Sequence, residues 1–286
     1  MPALRFQRVS ILGVGLIGGS IALALRDRGL ADEVTGFARS ENAHQRLTAW
    51  GGLDRVASTV RETVEGADLV VVASPVESVA PLVTEAAGHC PDSALITDAG
   101  STKKQIVDSL LGPLETGEGG PCFIGSHPIA GDHRTGADAG RADLFVDAKV
   151  VVTPTQGSPD DQIERLSGFW QSIGATVENL TPEEHDRLLA GASHLPHVAA
   201  AALAASTPED AFRLAASGWA DTTRVAAGSP ALWREILLSN RDSVLSGLKG
   251  LKEELQSYEE ALTTSDGDEL QRLLEQGRLR RDALGS

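Results

Sequence analysis

Cysteine and aromatic residues are both scarce in this chain. Its 286 residues include two cysteines, four tryptophans, six phenylalanines and one tyrosine. Two cysteines are too few for a disulfide framework, and neither Cys90 nor Cys122 lies in a CxxC motif or a metal-ligand cluster. We therefore expect free thiols, no metal site and a reducing, cytoplasmic location.

Basic residues and long apolar runs are also in short supply. The chain has 25 Lys and Arg against 40 Asp and Glu, for a formal net charge of -15. This balance argues against a nucleic-acid partner, because phosphate backbones are bound by basic surfaces. The apolar run at residues 198–205 is far shorter than the ~18 residues of a membrane span. No long apolar signal region precedes the first expected strand, so no membrane partner is expected either.

Short β-branched runs alternate with helical patterns in the first two thirds of the chain. This rhythm is typical of βαβ units around a mainly parallel sheet. A helix at residues 161–173 and an edge strand at 175–180 follow, and residues 112–121 have the composition of a flexible loop. The expected strands before them are residues 9–12, 34–37, 69–73, 94–98, 122–126 and 149–153.

After residue 180 the strand-like runs stop and helical periods dominate. Thr181 and Ser229 each precede a proline, and a capping residue followed by proline starts a helix. The predicted fold is α/β, with a dinucleotide-binding domain over residues 1–180 and an all-helical domain over residues 181–286. The expected helices of the second domain are residues 182–193, 196–205, 208–217, 230–262 and 269–284.

A glycine-rich turn, GVGLIGGS at residues 13–20, follows the first expected strand and opens an amphipathic helical pattern. In a GxGxxG turn the first glycine permits the tight turn, the second lets the backbone approach a pyrophosphate, and the third lets the helix pack on the strand. This context favours dinucleotide binding over an ordinary glycine-rich βα turn. The residues assigned to the cofactor here are Gly13, Gly15, Leu16, Ile17 and Gly18.

The end of the second expected strand bears on cofactor choice. An acidic residue about 20 positions after the glycines would accept from the ribose 2′-hydroxyl of NAD, but Ala38 stands there. Arg39, which follows it, can pair with a 2′-phosphate through its guanidinium group. NADP is therefore favoured, although NAD is acceptable if Arg39 only stacks on the adenine or faces solvent. Ser40 and Ser74 are also assigned to cofactor binding.

The polar segment GSHPIAG at residues 125–131 contains His127 between a serine and a proline. A neutral imidazole has an unperturbed pKa close to working pH, so His127 is the candidate general base; a structural histidine bonded to the backbone is the alternative. Arg224 is a cation that can bind a carboxylate bidentately, and a solvated surface charge is the alternative reading. Lys103 is only a secondary pocket cation, because a lysine at the start of a helix is usually exposed.

His194 and His197 are three residues apart, as a helical metal pair would be. Pro196 lies between them and no third ligand is near, which argues against a metal. We assign His197 to substrate contact and His194 to packing behind the site. Trp233 has apolar neighbours at helical spacing and is expected in the core or at a subunit interface rather than as a stacking platform.

Five motifs occur in the order found in one enzyme family. They are GVGLIGGS at 13–20, TDAGSTK at 97–103, GSHPIAG at 125–131, SHLPH at 193–197 and TTRVAAGSPALWREILLSN at 222–240. Together they resemble the prephenate dehydrogenases, a tyrosine-biosynthesis family that includes arogenate dehydrogenases. The resemblance implies a Rossmann-like domain, a helical dimerisation domain and an active site between them. It also implies oxidative decarboxylation of prephenate to 4-hydroxyphenylpyruvate, or of arogenate to tyrosine, with hydride transfer to NAD(P).

The resemblance also implies residue roles. His127 matches the catalytic histidine that hydrogen-bonds the ring hydroxyl, and Ser101 matches the serine that orients this hydroxyl beside the nicotinamide. His197 and Arg224 match substrate-binding positions, with Arg224 on a carboxylate. His133 is a departure, because some relatives have an acidic residue there, and its role stays open.

Two rival functions deserve weighing. Another dehydrogenase of this build, acting on a β-hydroxy acid, would need a lysine on the first interdomain helix, and residues 182–205 contain none. A catalytically inactive dinucleotide-binding module would not need Ser101, His127 and Arg224 together. Residues 230–262 carry a wide apolar stripe, from which we expect a homodimer formed through the second domain.

Overall fold

The computed structural model describes residues 5–131 and 134–285. A six-stranded, entirely parallel sheet forms its N-terminal half, with the strand order β3-β2-β1-β4-β5-β6. The order reverses between β1 and β4, the position at which open α/β sheets bind their ligands. The strands are β1 Phe6–Leu12, β2 Ala31–Phe37, β3 Arg55–Ala57, β4 Leu69–Val72, β5 Leu95–Asp98 and β6 Cys122–Phe123.

Helices cover both faces of this sheet, because successive side chains of a strand point to opposite faces. Ile11 packs with residues of the first and seventh helices, whereas its neighbour Leu12 packs with the third and fourth. The helices of this half are α1 Leu16–Asp27, α2 Glu41–Trp50, α3 Val60–Val64, α4 Val76–Ala87, α5 Lys104–Asp108, α6 Pro113–Thr116 and α7 Asp160–Ser172. The short helix α6 lies where only a flexible loop was expected.

A second sheet of three strands contains β7 Gly125–Ile129, β8 Lys149–Thr153 and, at its edge, β9 Thr176–Asn179. Strand β7 runs antiparallel to β8. The expectation of one strand over residues 122–126 is therefore wrong, because the chain changes sheets at Ile124. The peptide N–H of Ser126 donates to Oδ1 of Asp98 at 3.1 Å, so a carboxylate side chain ends the β5–β6 ladder.

Within the described residues, no strand follows Asn179. Helix α8 begins with Thr181 as its N-cap and Pro182 at its first position, as the sequence predicted, and Glu184 completes a capping box that was not predicted. The structure thus confirms an α/β half followed by a helical half. The later helices are α8 Pro182–Leu189, α9 Leu195–Ser206, α10 Ser217–Thr223, α11 Pro230–Ser239, α12 Arg241–Thr264 and α13 Gly267–Asp282.

Three helix boundaries differ from the sequence-based expectation. A π-turn at Ala190–His194 joins α8 to α9 into one helical segment, which accommodates Pro196 without an interruption. The expected helix at residues 208–217 is a 3-10 turn, Glu209–Leu214, followed by α10. The expected helix at 230–262 is interrupted at Asn240, whose φ of -110° and ψ of 32° are not helical.

The joined segment Pro182–Ser206 is long and apolar enough to cross a bilayer by length and composition, with a mean hydropathy of 1.4. The apolar segment is therefore longer than the run at 198–205 had indicated. The most apolar window of this segment is 22% buried inside the protein. The core helices of soluble proteins can have the same length and composition.

Candidate active site

The glycine-rich turn after β1 has the geometry that a dinucleotide requires. Gly13 has a φ of +105°, and a Cβ atom there would lie 2.5 Å from the carbonyl oxygen of Ala73. A Cβ on Gly18 would lie 2.2 Å from the carbonyl oxygen of Gly13, whereas a Cβ on Gly15 would meet only open space. No side chain among the described residues caps the N-terminus of α1, so its N–H groups, Ile17 included, are available to an anion.

A cavity of about 490 Å³ adjoins this turn at the point where the strand order reverses. Arg39 lines it and is exposed. Ser74 also lines it, and its hydroxyl donates to the carbonyl of Leu12 at 3.1 Å. The hydroxyl of Ser40 instead caps α2, accepting from the N–H of Ala43 at 3.3 Å. The lining residues are Gly13, Phe37, Arg39, Ser74, Pro75, Glu77, Ser78, Pro81 and Leu82.

His127 lies on β7, and its ring contacts a second histidine. Its Nδ1 is 2.9 Å from Nε2 of His185, and Nδ1 of His185 is 2.8 Å from Oδ1 of Asp186. His185 and Asp186 are both buried on α8, whereas His127 is only partly exposed. These three side chains form a continuous line from the carboxylate to the imidazole of His127.

This line fixes the position of each proton. The carboxylate of Asp186 only accepts, so Nδ1 of His185 carries the proton between them. Nε2 of neutral His185 is then an acceptor, and Nδ1 of His127 donates to it. Nε2 of His127 consequently keeps its lone pair, which is the form that a general base requires.

Asp186 is itself held by peptide groups. The backbone N–H of Lys103 donates to its Oδ1 at 2.7 Å, and the backbone N–H of Lys104 donates to its Oδ2 at 3.0 Å. These bonds use the N–H groups at the start of α5. The carboxylate is therefore fixed from the loop that carries Ser101, although it belongs to the helical half.

A fully buried ion pair lies behind His127. Nζ of Lys103 donates to Oδ2 of Asp98 and, at 2.9 Å, to the carbonyl of Ser126. The same carboxylate accepts the N–H of Ser126 through Oδ1, as described above. Both peptide groups of Ser126 are thus bound to the pair. The expectation that Lys103 is exposed is wrong, because its ammonium finds Asp98 inside the protein and its side chain has no exposed surface.

The electrostatics of the site favour neutral histidines. Desolvation by the surrounding protein, followed by repulsion from His185, Lys103 and His194, holds the pKa of His127 well below its usual 6.5. Burial likewise lowers the pKa of His185, although Asp186 opposes this shift. Burial lowers the pKa of His194 to about 4. At neutral pH the proposed base is therefore unprotonated.

Ser101 lies in the turn between β5 and α5 and is partly exposed. Its hydroxyl makes no hydrogen bond within the described parts of the chain, so it is available to a ligand. The neighbouring Asp98 binds the N–H of Ser126, which places this turn beside the strand of His127.

His197 and Arg224 lie on a different part of the helical half. The imidazole of His197 stacks on Trp233 with ring centroids 3.6 Å apart and planes within 13°. Trp233 is half-buried, and this stacking is packing within the protein, which agrees with the expected core position. A Cβ on Gly228 would lie 2.5 Å from Nε1 of Trp233 and 3.3 Å from Cε1 of His197, so the glycine leaves room for both rings. The Nδ1 of His197 is buried and has no partner among the described residues.

Arg224 begins a 3-10 turn, Arg224–Ala227, and is exposed. It forms no ion pair in residues 5–131 and 134–285. Burial lowers the pKa of His197, and the backbone of Val225 opposes this shift. The turn of Arg224 packs against α9. His133 lies outside the described residues.

Sequence analysis missed His185, Asp186 and Asp98 as site residues. A signal for the first two exists in the His-Asp pair that directly follows the capping box of α8. Asp98 carries a weaker signal, a carboxylate that ends an apolar strand five residues before Lys103. Neither signal identifies the partner residue, because His127 lies on a different element from His185, and Lys103 on a different element from Asp98. Among the described residues, no cluster of metal-binding side chains occurs.

Comparison with known proteins matches both halves of the chain. A family model for the nucleotide-binding domain of prephenate dehydrogenase matches residues 21–179, and one for its dimerization domain matches residues 181–276. Prephenate dehydrogenase of Bacillus subtilis is 33% identical over 283 residues, covering 96% of this chain and 76% of that protein. Cyclohexadienyl dehydrogenase of Zymomonas mobilis is 33% identical over 274 residues, covering 93% and 92%.

Solved structures agree with these matches. Prephenate dehydrogenase from A. aeolicus, in complex with hydroxyphenyl propionate and NAD+, superposes with a TM-score of 0.89 at 30% identity and covers 99% of both chains. Arogenate dehydrogenase of Synechocystis gives 0.83 at 29% identity, covering 97% of this chain and 100% of its own. A 3-hydroxyisobutyrate dehydrogenase of Mycobacterium tuberculosis, at 0.58 and 16% identity over 84% and 87%, shares the fold alone. The chain belongs to the prephenate dehydrogenase family.

Proposed function

We propose that this protein catalyses the oxidative decarboxylation of prephenate to 4-hydroxyphenylpyruvate in tyrosine biosynthesis, with NAD(P) as hydride acceptor. The observation that carries the proposal is the line Asp186–His185–His127, which leaves Nε2 of His127 as a free acceptor. An unprotonated imidazole nitrogen, in a protein that also has a dinucleotide-binding turn, is what removal of hydride from a hydroxyl-bearing carbon requires.

A nicotinamide bound at the glycine-rich turn would supply the acceptor for the hydride of the ring carbon that carries the hydroxyl. Carbon dioxide departs from the ring, and the electron pair of the broken C–C bond enters the ring as it becomes aromatic. Nε2 of His127 holds the hydroxyl proton while positive charge develops on that carbon, and the proton returns to the phenol oxygen. The hydroxyl of Ser101, which has no other partner in the described chain, orients the substrate hydroxyl.

Arg224 and His197 are assigned to substrate binding. Prephenate has two carboxylates, and the exposed guanidinium of Arg224 makes no ion pair in the described chain that a substrate would have to break. The buried Nδ1 of His197 is a polar group in need of a partner. Trp233 holds its ring in place by stacking.

The cofactor is proposed to bind along the turn of Gly13, Gly15, Leu16, Ile17 and Gly18. We place the adenosine in the adjoining cavity of about 490 Å³, between this turn and α4. Arg39 supports NADP, because its exposed guanidinium lines that cavity and can pair with a 2′-phosphate. Glu77 lines the same cavity and is the carboxylate that a free 2′-hydroxyl of NAD would use. Ser74 lines the proposed adenosine cavity. Ser40 does not line it and is proposed to contribute by capping α2.

We also propose a homodimer formed through the helical half. Large apolar side chains remain exposed on it, among them Leu214, Leu238, Leu255, Leu262 and Leu274, with exposed fractions of 58–79%. A groove of about 900 Å³ follows α12 and is lined by Leu245, Leu248 and Leu255. Apolar surface of this extent is normally covered by a partner. Sedimentation at micromolar concentration tests this: a 29.9 kDa species contradicts the dimer.

The free thiols Cys90 and Cys122 agree with the cytoplasmic location that we propose. Residues 182–206 contain no lysine, which separates this chain from dehydrogenases that use one on the first interdomain helix.

The deciding experiment measures kcat/KM for prephenate and for arogenate, each with NAD and with NADP. Reduced nicotinamide without decarboxylated product, or no turnover of prephenate with either cofactor, contradicts the proposal; a higher kcat/KM for arogenate makes the protein an arogenate dehydrogenase.

A further inference from the structure

Asn240 separates α11 from α12 and is 4% exposed, so its polar side chain is buried. Its Nδ2 donates to the backbone carbonyl of Asp186 at 2.6 Å and lies 3.1 Å from Nδ1 of His194. A carbonyl oxygen only accepts, which fixes the amide nitrogen on this side. The second N–H of the same amide then donates to His194, so the proton of neutral His194 lies on its Nε2.

The carbonyl that Asn240 binds belongs to the residue that orients His185. Asp186 fixes the proton of His185 through its carboxylate and is bound by Asn240 through its peptide group. Its two ends are therefore held by two different parts of the fold, the start of α5 and the α11–α12 junction. Loss of either contact frees the Asp186 carboxylate to move relative to the imidazole of His185.

The residue before Asn240 makes a parallel contact to the other half of the protein. The hydroxyl of Ser239 lies 2.7 Å from that of Thr102, in the turn that carries Ser101. The α11–α12 junction thus touches both the turn of Ser101 and the helix of His185. Helix α12, which continues from this junction, carries Leu255 and Leu262 of the proposed dimer face.

We propose that Asn240 is a positioning residue for the reaction: by holding the Asp186 peptide and the His194 ring, it keeps His185 in line with His127. This inference rests on the proposed function of His127. The hydrogen bonds of the amide go to Asp186 and His194, so we expect it to act on turnover through the His185–His127 contact. A residue that only filled space would contribute to stability and leave the protonated nitrogen of His127 unchanged.

The test compares two substitutions of similar size. Asn240→Leu keeps the volume and removes every hydrogen bond, whereas Asn240→Asp keeps the shape and removes the N–H donors. We expect kcat to fall about tenfold or more in both, because a displacement of about 1 Å at a reacting group costs up to about 10²-fold. The KM for prephenate should stay within about twofold. The matched control is Asp242→Asn, since this exposed side chain on α12 touches no part of the line.

A second readout does not depend on activity. Nitrogen-15 NMR of the histidine rings reports which ring nitrogen carries a proton, and we expect His127 to be protonated on Nδ1 in the wild type and to populate both tautomers in the variants. Unchanged tautomers together with wild-type kcat in both variants overturn the inference. If thermal denaturation shows that neither variant is folded, Asn240→Ser is measured instead, because serine keeps a donor on a smaller side chain. Its kcat and its histidine tautomers are then judged in the same way. If wild-type protein does not turn over prephenate, the proposed function fails while the tautomer comparison still decides the role of Asn240.

Discussion

The imidazole Nδ1 of His127 lies 2.9 Å from Nε2 of His185 across the junction between the two halves of the protein. His127 belongs to a strand of the N-terminal half, and His185 to the first turns of α8. The two residues are 58 positions apart in sequence. Their contact gives His127 a defined tautomer, and the predictions below concern how that tautomer is set and used.

Replacing the proposed base tests its role directly. His127→Asn is expected to lower kcat by about 10²–10⁴-fold, the usual contribution of a general base, because asparagine cannot take up the proton. Cofactor affinity, measured by fluorescence titration, should be unchanged, since the glycine turn is separate from β7. A variant that keeps more than about a tenth of wild-type kcat would refute the assignment.

Two substitutions of His185 distinguish the role of its hydrogen-bond acceptor, Nε2, from the role of its side-chain volume. His185→Leu removes the acceptor for Nδ1 of His127, and kcat should fall by more than tenfold, toward the roughly 10⁴-fold loss that a wrong tautomer causes in a serine protease triad. His185→Gln retains an amide oxygen that accepts, so it should keep more activity than the leucine variant. Equal kcat values for the two variants would show that the contact with His127 has no catalytic role.

The pH dependence of kcat/KM should report the lowered pKa of His127. Its unprotonated form is the active one, so activity is lost only when the pH falls through the pKa of the folded protein. Since desolvation and the nearby positive charges hold that pKa well below 6.5, the acid limb should have its midpoint below 6.5. A stopped-flow or steady-state profile between pH 4 and pH 8 checks this, and a midpoint above 6.5 contradicts the assignment.

Removing one partner of the buried Lys103–Asp98 pair should destabilise the protein strongly. Replacing both partners by neutral residues should destabilise it much less. Lys103→Met leaves an unpaired buried carboxylate, and we expect a loss of about 3–5 kcal/mol in the free energy of unfolding. The double variant Asp98→Asn with Lys103→Met leaves no charge and should recover a large part of that loss. Urea unfolding measures both, and equal stability of single and double variants would show that the pairing is unimportant.

Arg39 provides the test of cofactor preference. Arg39→Asp places a carboxylate in the adenosine cavity, where it repels a 2′-phosphate and can accept from a free 2′-hydroxyl. The ratio of kcat/KM for NADP to that for NAD should therefore fall by tenfold or more, since charge-assisted hydrogen bonds contribute about 1.5–3 kcal/mol. Arg39→Ala is the control that removes the cation alone. A wild type that already prefers NAD would show that Arg39 does not select the phosphate.

Local sequence patterns predicted the parts of the fold that short-range physics decides. The parallel strands, the glycine turn and the start of α8 follow from β-branched runs, φ angles and a capping residue that a few neighbours fix. Helix α11 begins at Pro230 as predicted, although the side chain of Ser229 makes no capping hydrogen bond. The strand at residues 122–126 and the helix at 230–262 were wrong as single elements, because each is interrupted by one polar contact with a distant residue. The carboxylate of Asp98 accepts a hydrogen bond from the N–H of Ser126, and the side-chain amide of Asn240 donates one to the backbone carbonyl of Asp186.

For the candidate site, the sequence alone determined which chemistry is present: a dinucleotide turn, a histidine in a polar turn, a serine and an arginine. It assigned Lys103 to solvent because a lysine in isolation is best hydrated, and it left His185 without a role. Only the tertiary structure decided these points, because it pairs Lys103 with Asp98 and joins His185 to His127 across the two halves. The burial of Lys103 and the tautomer of His127 both depend on how separate elements pack, since Asp98 ends β5 and His185 lies on α8, 58 residues from His127. That packing exists only after folding.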